Sequence, residues 1–153
     1  MINKFNKISI LLFFILTSCG YSPIFSAKST NFKILNLSLE GNKKINRIID
    51  NKLKNYKKNQ KAERIYVVKI NSKKNKKIIS KDTKGNPDKF NLELLVSIEV
   101  ENQDNNKNKK NFIKNISYNN LSNKFELSEY ENNIEESLAL NISEEIIIYI
   151  QSL

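Results

Sequence analysis

Phe90, Leu92, Leu94, Val96, Ile98 and Val100 occupy every second position of one stretch, alternating with Asn91, Glu93, Leu95, Ser97, Glu99 and Glu101. A period of two puts the first set on one buried face of an extended strand and most of the second set in water. A strand of this kind must be covered by another layer, so the chain has to supply helices or a second sheet.

Two helical stripes supply that layer. Ile45, Ile48, Ile49, Leu53 and Tyr56 recur at three- and four-residue intervals after Asn42, a good N-cap. Ile134, Leu138, Ile142, Ile146, Tyr149 and Leu153 form a second stripe near the C-terminus. Ser128 and Glu131 have capping-box spacing and predict where that helix begins, with Phe125-Glu126-Leu127 leading into it. Glu129, Glu131, Glu135 and Glu136 suit the positive end of its dipole.

Three further segments read as strands. Phe32 to Leu39 mixes alternation with apolar runs, the pattern of a strand buried largely on both faces. Arg64 to Ile70 is β-branched and aromatic. Lys73-Lys74-Asn75-Lys76-Lys77 is expected to interrupt it before pairing resumes at Ile78-Ile79. Residues 81–88, with Gly85 and Pro87, read as a turn, and Asn102 to Lys110 as a long hairpin loop. Lys109 to Asn119 returns as a strand with Phe112, Ile116 and Tyr118 on one face and Ile113 on the other. The expected fold class is α+β: two helices on a mainly antiparallel four-stranded sheet, in the order β-α-β-β-β-α. Leu35, Leu37, Ile65 and Val67 suggest that part of the second sheet face is also covered.

The first residues carry a different signal. Lys4 and Lys7 precede the apolar run Ile8 to Leu16, which ends in Thr17-Ser18-Cys19. A charged start, a short apolar middle and small residues make a secretory signal, and the run is too short to span a bilayer as a helix, which takes roughly 20 apolar residues. Leu16-Thr17-Ser18-Cys19 resembles the lipobox of bacterial lipoproteins. That resemblance implies an S-diacylglycerol on Cys19, cleavage before it and an acyl group on its new amino terminus. Several acyl chains on one residue make a lasting anchor where one chain gives only marginal binding. The chain therefore divides into a lipoprotein signal at 1–18, a lipidated tether at 19–31 and a single α/β sandwich domain at 32–153.

Composition narrows the function. The chain has no histidine and one cysteine. With Cys19 lipidated, no disulfide, His-dependent catalysis, Cys nucleophile or His/Cys metal site remains. Glu126, Glu129 and Glu131 near Tyr130 are accounted for by helix capping, so no enzyme and no cofactor beyond the covalent lipid is expected. The net charge is +10, unevenly spread: residues 41–80 hold fourteen basic residues against Asp50 and Glu63, while 121–153 hold Lys124 against seven glutamates. The Lys, Asn and Ile excess matches AT-rich codons, so the distribution is more informative than the total. A basic half suits an anionic partner. For an exported chain, phosphorylated headgroups or glycolipids fit that role better than nucleic acid. The lysines of the first helix read equally well as a solvated face.

Cys19-Gly20-Tyr21, then Pro23-Ile24-Phe25, resembles the start of the mature LptE family of lipopolysaccharide-assembly lipoproteins. The layout of a small α/β sandwich ending in a long amphipathic helix is similar to that family as well, as is, more weakly, Asn123 to Leu127 running into the helix. The resemblance implies an outer-membrane lipoprotein of the lipopolysaccharide transport machine on the periplasmic side, a plug and assembly partner of the LptD β-barrel that binds lipopolysaccharide. Gly20 stands where an aspartate would retain a lipoprotein in the inner membrane, implying outer-membrane sorting. Lys73, Lys74, Lys76 and Lys77 are the candidate contacts to lipid A phosphates, as point charges and not bidentate clamps. The alternative is a structural or adaptor lipoprotein of another envelope complex without glycolipid binding.

Overall fold

The structure is a computed structural model that describes residues 31–153. Its elements follow the expected order: β1 (Phe32–Gly41), α1 (Lys43–Lys57), β2 (Arg64–Lys81), β3 (Pro87–Glu101), β4 (Lys107–Asn119) and α2 (Lys124–Ser152). The sheet order is β1-β2-β3-β4. β1 lies parallel to β2 through the α1 crossover, and β2, β3 and β4 form an antiparallel meander. The fold is α+β, a four-stranded mixed sheet with two helices.

β3 is the centre of the core. All six alternating residues from Phe90 to Val100 are buried. α1 adds Ile45, Ile49 and Leu53, and α2 adds Ile142, Ile146 and Ile150, none of them exposed at all. Burying each such side chain is worth about 1.5–3 kcal/mol, so these stripes hold the two layers together. α1 packs on β1 and α2, and α2 on β3 and β4. At one end of the sheet Phe32 stacks on Tyr56 of α1 with ring centroids 4.6 Å apart, and Asn59 Nδ2 donates to the Phe32 carbonyl.

Four sequence expectations change. β1 is not buried on both faces. Its register slips between Ile34 and Asn36, so Phe32 and Ile34 face the helices before the slip and Leu37 and Leu39 after it. Leu35 is the extra residue and is 66% exposed. The second sheet face is correspondingly open: Ile65 and Val67 are only half-buried. β2 runs unbroken through the lysine cluster, because β3 pairs with it from Val67 to Lys81. The turn at Asp82 to Asn86 and the loop at Asn102 to Asn106 are short, each closed by one side chain: Asp82 accepts from the N–H groups of Lys84 and Asn86, and Asn102 from those of Asp104 and Asn106. Finally, α2 starts a turn earlier than the capping box at Ser128 predicts. Asn123 is the cap, its Oδ1 accepting from the N–H groups of Phe125 and Glu126, and its Nδ2 donates back to Glu126. Ser128 lies inside the helix.

Where β1 becomes α1 the backbones nearly touch. Gly41 has φ +93°, and a Cβ there would sit 2.0 Å from the Ser72 carbonyl oxygen. The next residue, Asn42, donates its N–H to that same oxygen at 3.0 Å and caps α1 through its side chain. Beneath it the buried Ser72 hydroxyl donates to Asn46 Oδ1 at 2.7 Å, and Asn46 Nδ2 donates to the Glu40 carbonyl. This set of bonds ends β1 opposite Ser72. Beyond that point β2 has β3 on one side and, among the described residues, no strand on the other.

Candidate functional site

The lysine cluster lies on the part of β2 that β1 leaves uncovered. An open strand edge invites pairing with other chains, and lysines along it oppose that. The pleat divides the four. Lys74 and Lys76 stand opposite the buried Leu94 and Leu92 and so point to the helix side; Lys73 and Lys77 stand opposite Leu95 and Asn91 and point to the open face. The structure therefore puts Lys74 and Lys76 side by side on one face, and Lys73 and Lys77, roughly 13 Å apart along the strand, on the other.

The helix-side pair meets carboxylates of α2. Lys74 Nζ donates to Glu135 Oε2 at 2.7 Å, and Lys44 of α1 approaches the same oxygen at 3.4 Å. Lys76 Nζ donates to Glu131 Oε1 at 2.5 Å and lies 4.1 Å from the centre of the Phe90 ring. Residues i and i+4 of a helix rise about 6 Å, close to the roughly 6.6 Å between alternate residues of a strand, so two glutamates match two lysines across the layers. Farther along, Lys52 pairs with Glu144 and Lys114 with Glu145. Arg64 donates from both guanidinium Nη atoms to the Gln151 carbonyl at 3.3 Å, at the negative end of the α2 dipole. Four of the fourteen basic residues of the basic half, Lys44, Lys52, Lys74 and Lys76, thus find their anion in the acidic C-terminal helix of the same chain.

Glu131, like Glu135, has two partners. Besides Lys76, it accepts from the Tyr118 hydroxyl at 2.8 Å. Partial burial works to raise its pKa, but the hydrogen bonds from Lys76 and Tyr118 outweigh that and hold it below the usual carboxylate range. Burial, and then the hydrogen bond to this charged acceptor, push the Tyr118 phenol well above its ordinary value. On the open face Lys109 donates to Glu99 at 2.9 Å and lowers the Glu99 pKa, with Lys107 and Lys69 adding to the effect.

Sequence reasoning missed Glu131 and Glu135 as partners and Ser72, Asn46 and Gly41 as a joint. The signal for the first was the match between Glu131/Glu135 and Lys74/Lys76 spacing. A glycine directly before a helix cap was the signal for the second. Cys19 and Gly20, with the signal and the tether up to residue 30, lie outside the described residues. No described helix is long and apolar enough to cross a membrane.

A four-stranded mixed sheet carrying a crossover helix and a long terminal helix defines a small α+β sandwich, a fold found among bacterial lipoproteins. Rare lipoprotein B from Shewanella oneidensis superposes with a TM-score of 0.62 at 16% identity, over 76% of this chain and 94% of that one. A minor lipoprotein from Acinetobacter baumannii gives 0.57 at 17% identity, over 76% and 90%. Lipoprotein B from Nitrosomonas europaea gives 0.56 at 12% identity, over 80% and 86%. At these identities the likeness is one of fold. No protein-family model and no curated protein matches the sequence.

Proposed function

We propose that the chain is an outer-membrane lipoprotein of the LptE kind, anchored through Cys19 on the periplasmic side, serving as plug and assembly partner of an LptD-type β-barrel. The observation that supports this best is a conjunction: a lipobox-like signal in the sequence and, independently, a fold shared with rare lipoprotein B, which is LptE. Its work is non-enzymatic. Contact with lipid A phosphates falls to Lys73 and Lys77, because Lys74 and Lys76 are engaged by α2.

Affinity purification of a tagged, lipidated copy from membranes, with mass spectrometry of what comes with it, tests the reading. A large β-barrel in roughly equal amount is the expected result; recovery of the protein alone, or with unrelated envelope proteins, overturns it. Glycolipid contact is tested separately with Lys73→Gln/Lys77→Gln. Unchanged lipopolysaccharide binding at low salt would remove that role.

The second reading, an adaptor lipoprotein without glycolipid binding, draws on the same pairing of Lys74 and Lys76. A cluster half neutralised from within is a weaker anion site than four free lysines.

A further inference from the structure

α1 carries its charge in two sets. Lys44 and Lys52 turn toward α2 and pair with Glu135 and Glu144. Lys43, Arg47 and Lys54, with the C-cap Lys58, are all exposed, and none has an acidic partner among the described residues. At 3.6 residues per turn their spacings of four, seven and four place them within an arc of about 60°. That arc lies opposite the buried Ile45, Ile49 and Leu53. The only acid in α1, Asp50, is neutralised by Lys57, two turns on along the same helix. The result is a straight cationic ridge, about 22 Å long at 1.5 Å per residue. On the open sheet face, by contrast, Lys69, Lys107 and Lys109 surround Glu99. Codon bias scatters lysines but does not by itself sort them into paired and unpaired faces of one helix.

The ridge ends where the anchor segment begins. Asn59, next to Lys58, donates to the Phe32 carbonyl, and Asn31 bonds the backbone N–H of Glu63 beside the start of β2. Residues 19–30 precede this point and span at most about 40 Å when extended. A lipid on Cys19 therefore keeps this end of α1 within a short reach of the headgroups.

We propose that, before the domain is seated in a barrel, the Lys43–Arg47–Lys54–Lys58 ridge docks on anionic phospholipid headgroups of the leaflet that holds the Cys19 anchor, laying α1 along the membrane surface. This rests on the lipoprotein reading for the proximity of the membrane, not for the ridge itself. Basic residues near an anionic surface are each attracted to it, and salt screens the attraction. The docking sets the orientation of the domain on its tether: the open sheet face, on the side of the sheet opposite α1, is held away from the lipid.

The test is acetylation footprinting of the lipidated full chain in nanodiscs, one set of phosphatidylcholine alone and one with a third phosphatidylglycerol. Lys43, Lys54 and Lys58 are expected to react about threefold more slowly on the anionic discs, and to recover at about 0.5 M salt, where the Debye length falls to roughly 4 Å. Lys84, in the turn at the far end of β2, is the reference and should not change. Equal rates on both discs overturn the proposal. So does protection seen in native membranes but absent from anionic discs, which would assign the ridge to an acidic protein surface. Intact mass reports separately whether Cys19 carries acyl chains. An unlipidated chain whose ridge is still protected on anionic discs supports the ridge while overturning the anchor.

Discussion

Glu135 is 2% exposed, and its Oε2 accepts from Lys74 Nζ at 2.7 Å. A carboxylate so far from water is tolerable only because Lys74 and Lys44 both reach it. Removing the carboxylate leaves two ammonium groups facing each other over apolar surface. Glu135→Gln should cost about 2 kcal/mol; this is below the usual 3–5 for breaking a buried pair, because both lysines keep partial access to water. Urea unfolding of Glu135→Gln, Lys74→Met and the double variant would give the coupling. A coupling near zero would make the pair incidental.

Gly41 and Ser72 set the second prediction. Gly41→Ala adds a Cβ 2.0 Å from the Ser72 carbonyl oxygen at φ +93°, so the strand-to-helix joint must open. The expected loss is about 3 kcal/mol, combining backbone strain with the clash. Gly85 is the matched control. It has φ +83° but nothing within 4 Å, so Gly85→Ala should cost only about 1 kcal/mol. Thermal unfolding of both variants would check it, and equal losses would mean that backbone conformation alone decides.

Asn123 and Ser128 compete for the start of α2, and the structure favours Asn123. Asn123→Ala should cost about 1 kcal/mol and Ser128→Ala close to nothing. Chemical denaturation distinguishes them. The reverse order would place the helix start at the Ser128 capping box.

How far the sequence carries is seen in three places. The β3 alternation and both helical stripes are strong periodic signals, and they locate the layers and most of the core. β1 misleads because its apolar residues fall on both parities. Phe32 and Ile34 are even, Leu37 and Leu39 odd, and the slip at Leu35 that reconciles them is a backbone irregularity with no residue signature of its own. The lysine cluster misleads differently. Four lysines in five residues do need water or an anion, but the anion for Lys74 and Lys76 comes from some 55 to 61 residues away in the same chain. Charge counted along the chain cannot show which face of a pleat each lysine takes, nor what lies across from it.

The Lys76–Glu131–Tyr118 group predicts how stability follows pH. The Glu131 pKa is depressed in the folded state, so its contribution is present above the ordinary glutamate pKa and lost as pH falls through the folded value. The Tyr118 pKa is raised, so its contribution is full below the ordinary tyrosine value of about 10 and is lost as pH climbs beyond it. Stability should therefore be level across neutral pH with respect to these two groups, and fall at both extremes. Tyr118→Phe should remove this group's share of the alkaline fall and shrink the acid one, since Glu131 loses one of the two hydrogen bonds that hold its charge. Glu131→Gln should remove its share of the acid fall and bring the Tyr118 phenol part of the way back toward its ordinary value, burial keeping the rest. Unfolding midpoints from pH 3 to pH 11 for the parent chain and the two variants would read both limbs. If Tyr118→Phe left the alkaline limb unchanged, the phenol would not be part of the coupling.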